Sequence, residues 1–473
     1  MTAAQKVFYN TAVQLAGRAV SLLLSLAAVR LTTGYLGLEQ FGELAIVVAL
    51  GELLIVLSDL GARTTLAREV SKAPEEADGL GGSLLRFRVA TSLVAVAALL
   101  VVTPVLPYSF ETKVALSVWL VGVFFTSVAT LPLAFFQANL RLEYQAALDV
   151  ATKLLNLGAI GAAVALDLGF YALVALLVVV QTVVCFATFA VSARFWRINV
   201  GVSWSAARPL IRDAVSIGVV SMIGYLHFKG DAILLSLLKP AEDVGIYVVA
   251  YRFIDHSFLL PGLFVASVFP ILTRALHTAE GNADEIINRT FQVLLLGAVS
   301  LVVLLVTLAE PLVHLIATEE FDAAIGTLRL LSLALLPAFV APVFYNALIA
   351  VNRQRALISL GAASVALNVA LNLVLIPPYS YNGAAIATVV SETFSVAGTY
   401  LVARRQLDFR LRASFLVRVG AATAASVVAG GLLWSRSPWA SFLAAELVFV
   451  VSVFVFRAVT RADLRLLLAR PAS

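Results

Sequence analysis

Apolar runs of bilayer-spanning length alternate with short polar segments from one end of the chain to the other. A helix needs about 20 apolar residues to cross the hydrocarbon core, so each run predicts one crossing. Fourteen crossings result, near 10–31, 41–58, 84–104, 114–137, 147–167, 170–192, 214–238, 244–269, 288–309, 326–350, 355–376, 382–402, 414–434 and 438–456. The pattern predicts an all-α, polytopic integral membrane protein. Pro104, Pro132, Pro261, Pro311 and Pro342 are expected to kink helices or mark their ends. The first run lacks a small-residue cleavage site and reads as a retained helix.

Charge tests the count, because basic residues should gather in every second loop when the crossings are placed correctly. About 24 Lys and Arg fall in alternate loops, from Lys6 through Arg63, Arg68, Lys72, Arg86 and Arg88 to Arg457 and beyond, against four on the other side (Lys113, Lys239, Arg329, Arg436). Both termini are therefore expected in the cytoplasm and the chain in the cytoplasmic membrane.

The halves repeat. The loop ending Phe41-Gly42 matches the loop ending Val244-Gly245, 141–156 aligns with 353–368 without a gap, and Gly169 aligns with Gly383, at offsets of 203, 212 and 214. Two parallel six-span copies are expected, 1–205 and 206–408, with two further spans in 409–473 outside the core. The polar stretch 192–213 reads as the linker between them.

Composition removes several classes. Hydrophobic residues make up 61% of the 473 positions and charged ones 13%, where a soluble domain has about 45–50% and 25%. The formal charge of +5 resides mostly in loop arginines, a pattern that orients helices and does not suit nucleic acid. Cys185 is the one cysteine, so neither an intrachain disulfide nor a cysteine metal cluster can form. Gly79-Leu-Gly81-Gly82 lacks the Lys-Ser/Thr of a phosphate loop and reads as a flexible connection. No carboxylate pair, His/Cys cluster or nucleophile elbow points to an enzyme, a metal site or a cofactor.

Ionisable residues inside apolar runs carry the candidate chemistry. A charge at the bilayer centre costs about 2.5–3.5 kcal/mol on insertion scales, so such residues normally face a bundle interior or a wet cavity. Lys229 and Asp231 lie in span seven; Arg252, Asp255 and His256 share one face of span eight. Span five carries Asp149 one turn before Lys153, and span one carries Arg18 one turn past Gln14. Glu52 and Glu392 sit in spans two and twelve. Arg18, Lys153, Lys229 and Arg252 are substrate-binding candidates, because guanidinium and ammonium groups hold phosphate. Asp149, Asp231, Asp255, His256, Glu52 and Glu392 are candidates for H+ or Na+ coupling. For each, helix packing through an internal ion pair or hydrogen bond is the competing explanation.

The segment Tyr35-Leu-Gly-Leu-Glu-Gln-Phe-Gly42, the segment Asp59-Leu-Gly-Ala-Arg63 with Arg68, and Val244-Gly-Ile-Tyr-Val-Val-Ala-Tyr-Arg252 resemble, in order and spacing, the polysaccharide-unit flippases of the multidrug/oligosaccharidyl-lipid/polysaccharide exporter superfamily. The resemblance implies two six-helix lobes in a V around a cavity, two extra helices, and alternating access that moves a polyprenyl-phosphate-linked glycan between leaflets. It implies a protein that acts as a monomer among membrane lipids and glycan-assembly proteins. In lipid II flippases of this group, arginines of spans one, two and eight line the cavity. Arg18 and Arg252 match by span, whereas the apolar middle of span two has no arginine and Arg63 lies beyond its end, which argues against lipid II as substrate. A cation-coupled multidrug or metabolite exporter and a non-transporting scaffold are the other two readings.

Overall fold

The structure, a computed structural model, describes residues 3–197, 204–277, 282–407 and 409–458. The candidate linker falls partly outside these residues, at 198–203, as do Arg461, Arg465 and Arg470 of the last basic segment. Among the described residues the regular structure is helical, without strands. The helices are α1 (Ala3–Asp59), α2 (Ala62–Lys72), α3 (Ala77–Val102), α4 (Phe110–Ala129), α5 (Leu133–Ala138), α6 (Leu142–Ala165), α7 (Phe170–Ser192), α8 (Trp204–Leu238), α9 (Ala241–Ser257), α10 (Leu259–His277), α11 (Ala283–Thr307), α12 (Ala309–Ile316), α13 (Ala323–Ser332), α14 (Leu335–Ala350), α15 (Gln354–Leu407), α16 (Ala413–Leu433) and α17 (Pro438–Val455).

Among the described residues, twelve helical stretches are long and apolar enough to cross a membrane. Two of them, Ala16–Asp59 and Arg355–Leu407, run to 44 and 53 residues and break in the middle. Gly37 breaks the first at φ 69°, ψ −173°, a region that is essentially glycine-only. Ser380 breaks the second at φ 50°, ψ −131°, just after Pro377 and Pro378 have withdrawn two backbone donors. Each of the two therefore supplies two crossings, which brings the total to the fourteen that hydropathy predicts.

The chain divides into two compact units. The first comprises Met1–Gly245 with Ile316–Glu320. Here α1 packs along α6 and α4, and α4 along α7. Small residues allow the close approach that lipid-embedded helices need: a Cβ on Gly17 would lie 3.3 Å from the Ala146 Cβ. Glu320 accepts a bond from the Leu38 amide (3.2 Å) just past the break at Gly37, and the Thr33 hydroxyl donates to the Ile316 carbonyl (3.0 Å). The short segment from the second half of the chain thus caps the helix start after the break. The expected loop at Gly79–Gly82 is instead the first turns of α3. Gly81 is there because Trp196, stacked on Phe135 at 4.6 Å, fills the space a side chain would need. Its Cβ would meet the Trp196 Nε1 at 2.6 Å.

The second unit comprises Ile246–Leu315 and Phe321–Ser473. Its core joins Phe291, Leu294 and Val299 of α11 to Val343 and Phe344 of α14. The helices α16 and α17, expected outside the core, add Phe415, Val419, Ala422, Ala445, Phe449 and Val453 to this same cluster. They form a hairpin tied by side-chain hydroxyls, with Ser426 donating to the Ala445 carbonyl (2.7 Å) and Ser441 to that of Gly430 (2.9 Å). Within α15, Ser364 donates to the Ser391 carbonyl (3.1 Å) and the Asn368 amide to the Ser391 hydroxyl (3.2 Å), joining the two halves of the helix across the break.

Candidate functional site

In the first unit α1 ends at Asp59, and the chain turns through two left-handed residues, Leu60 (φ 43°) and Gly61 (φ 74°), before α2 begins. Gly61 is obligatory for a second reason, since a Cβ there would stand 2.3 Å from the Ala214 carbonyl of α8. This turn sets Arg63 in the first turn of α2 and folds it back toward α6.

Below the turn lies Arg88, a fully buried arginine. It was counted among the loop residues that orient the helices, yet α3 carries it into the packing. Its Nη1 lies 3.1 Å from the Asp59 carboxylate. Its Nε donates to the Ser127 carbonyl (2.9 Å), and its Nη2 donates to the Ile55 carbonyl (3.3 Å) and the Thr130 hydroxyl (3.0 Å). Ile55 and Ser127 lie in the last turns of α1 and α4, where the helix dipoles are negative. One guanidinium therefore closes two helix ends and neutralises Asp59. Ser127 continues the network, its hydroxyl lying 2.8 Å from that of Ser58 and 2.7 Å from that of Ser92.

With Asp59 committed to Arg88, the remaining charges gather around Asp149 on α6. Arg63 donates to the Gln145 side-chain oxygen at 3.4 Å, a long bond. Burial holds the Arg63 guanidinium below its ordinary value, and the charges of Asp59 and Asp149 pull it back up. Asp149 interacts electrostatically with Arg63, Lys153 and Arg18, in that order. The packing of Gly17 on Ala146 explains the last of these, because it sets Arg18 beside the turn of α6 that leads to Asp149. Arg18 and Asp149 are exposed, while Arg63 and Lys153 are half-buried. Three cations thus act on one carboxylate, an excess of positive charge near the amide of Gln145.

The structure brings Arg18, Lys153 and Asp149 together and adds Arg63, which lies past the end of span two. The other candidates lie elsewhere. Glu52 is exposed on the second half of α1, Lys229 is half-buried on α8, and Asp231 on the same helix is 1% exposed. In the second unit Arg252, Asp255 and His256 are half-buried on α9. The His256 Nδ1 lies 2.7 Å from the Arg252 carbonyl, a bond along its own helix. Glu392 is buried on the second half of α15.

The fold has solved counterparts. Over 95% of this chain and 99% of the other, it superimposes on the lipid II flippase MurJ in an inward closed conformation, with a TM-score of 0.75 at 15% identity. A multidrug resistance MATE transporter of the MOP superfamily in its inward-facing conformation gives a TM-score of 0.68 at 15% identity, over 82% of this chain and 94% of that one. The chain has the fold of these exporters. The model of the family described as polysaccharide biosynthesis protein matches residues 3–276, and the chain belongs to that family. A relative from Haloferax volcanii, the probable low-salt glycan biosynthesis flippase Agl15, is 22% identical over 410 residues, covering 84% of this chain and 83% of its own.

Proposed function

We propose that the protein translocates lipid-linked oligosaccharide or polysaccharide units across the cytoplasmic membrane, with both termini in the cytoplasm. The six-span repeats, 1–205 and 206–408, alternate access, and 409–473 is appended to the second. One observation carries this reading: the electropositive cluster of Arg18, Arg63 and Lys153 around Asp149. A lipid-linked glycan presents a phosphate, a hydroxyl-rich sugar and a polyprenyl tail, and the cluster offers a guanidinium fork for the first and the Gln145 amide for the second. Family membership and the relative named for a glycan flippase support the same substrate class. Arg252 and Lys229 are further substrate-binding candidates. Asp149, Asp231, Asp255, His256, Glu52 and Glu392 are the candidates for coupling to H+ or Na+.

A cationic-drug exporter would need an excess of carboxylates where this cluster has an excess of cations, and a scaffold would tolerate neutral replacements there. The test is mass spectrometry of the polyprenyl-linked glycan in a strain lacking the gene. Accumulation of an inward-facing lipid-linked glycan, relieved by the wild-type gene and not by the Arg63→Gln gene, is the expected result. Normal glycan export without the gene would overturn the proposal.

A further inference from the structure

A second basic cluster occupies one end of α15. Arg353 and Arg355 stand at its start, Arg404 and Arg405 in its last turn, and Arg410 in the connection to α16; all five are exposed. The break at Ser380 doubles α15 back on itself, and a Cβ on Gly398 would lie 2.8 Å from Leu360 Cδ2. That contact is within two turns of both arginine pairs, so the pairs stand at one end of α15, and Arg410 follows in the connection just beyond it. None has a carboxylate partner among the described residues, whereas Arg68, Lys72, Arg88 and Arg141 in the first unit are each ion-paired.

The connection that carries Arg410 is held in place. Its amide donates to Asp284 (3.2 Å), its carbonyl accepts from the Asn288 amide (3.1 Å), and the Arg412 amide donates to the Asn288 side-chain oxygen (3.3 Å). Arg412 pairs with Glu285, and Phe409 is buried against Phe344. Asp284 is thus used on backbone and Glu285 on Arg289 and Arg412, and the Arg410 guanidinium has no carboxylate partner among the described residues. The same elements expose apolar side chains: Ile358 and Leu401 on α15, Leu416 and Val417 on α16.

We propose that this cluster binds the phosphate headgroup of an anionic membrane phospholipid, whose acyl chains lie along Ile358, Leu401 and Leu416. Orienting helices requires basic residues in a loop; it does not require five exposed guanidinia, without a carboxylate partner among the described residues, beside a pinned backbone and exposed apolar side chains. An anionic headgroup removes their mutual repulsion, at about fivefold in affinity per arginine. This binding is independent of the translocation reading, and its test does not measure transport.

The full-length protein in phosphatidylcholine nanodiscs doped with phosphatidylglycerol is released into native mass spectrometry, and retained lipids are counted. Wild type should retain phosphatidylglycerol over phosphatidylcholine, and inorganic phosphate should not displace it. Joint replacement Arg404→Gln, Arg405→Gln and Arg410→Gln should weaken retention about a hundredfold, while the corresponding Lys variant keeps most of it. Where the triple Gln variant does not purify, Arg405→Gln alone should show about a fivefold loss. Unchanged phosphatidylglycerol retention in the Gln variants, equal retention of phosphatidylcholine by wild type, or displacement by inorganic phosphate would each overturn the proposal.

Discussion

Arg88 Nη1 stands 3.1 Å from the carboxylate of Asp59, with no exposure of its own, and the same guanidinium serves the carbonyls at the ends of α1 and α4. Removing one partner of such a buried pair leaves the other charge uncompensated, at a cost of about 3–5 kcal/mol. Arg88→Met should therefore lower the Tm in detergent sharply. Replacing both, Arg88→Met with Asp59→Leu, should recover much of the loss, because apolar substitutes of similar volume often match a buried pair. A double variant no more stable than Arg88→Met would show that the carbonyl contacts dominate over the ion pair.

Gly42 and Gly245, equated by the sequence repeat, stand against each other: a Cβ on Gly245 would lie 3.3 Å from Gly42 Cα. On Gly42 the Cβ would meet the Ala241 carbonyl oxygen at 1.9 Å, which only backbone movement can relieve. Gly42→Ala should abolish accumulation of folded protein, whereas Gly245→Ala, facing contacts at 3.2 Å and beyond, should cost about 1–3 kcal/mol. Size-exclusion profiles of the two variants check the order.

At Gly37 the argument concerns conformation, since its φ of 69° with ψ −173° is strained for any side chain. Gly37→Ala should cost about 1–3 kcal/mol. Glu320→Gln, which keeps an acceptor for the Leu38 amide, should cost less than Glu320→Ala. Thermal melts of the three variants supply the comparison.

Much of the fold is legible along the chain because a bilayer imposes it: length and hydropathy set the fourteen crossings. The site is less legible. Arg88 adjoins a basic loop and has the composition of a loop residue, and its acceptors are helix-end carbonyls, which have no signature of their own. Arg63 follows an apolar run and seemed to leave the membrane, although Asp59-Leu-Gly61 is the signal for a left-handed turn that brings it back. Gly79–Gly82 read as flexible because nothing local shows that Trp196, more than a hundred residues on, occupies the space beside Gly81. Asp149 and Lys153 were found because an i, i+4 pair is a local pattern.

If Arg63 holds phosphate through its fork, Lys should replace it only in part, retaining charge without the bidentate geometry. Arg63→Lys should keep a measurable fraction of glycan export and Arg63→Gln almost none. Arg252→Ala should likewise lose export while the protein stays in the membrane, and full export would remove Arg252 from the substrate path.

Translocation of a polyprenyl-phosphate-linked glycan in proteoliposomes, scored by access of a membrane-impermeant lectin, tests the electropositive cluster most directly. Arg63→Gln should reduce the rate by an order of magnitude or more, roughly the loss of one charge-assisted hydrogen-bonded contact, with the Tm of wild type. Wild-type translocation by a folded Arg63→Gln protein would contradict a substrate site at Arg18, Arg63 and Lys153.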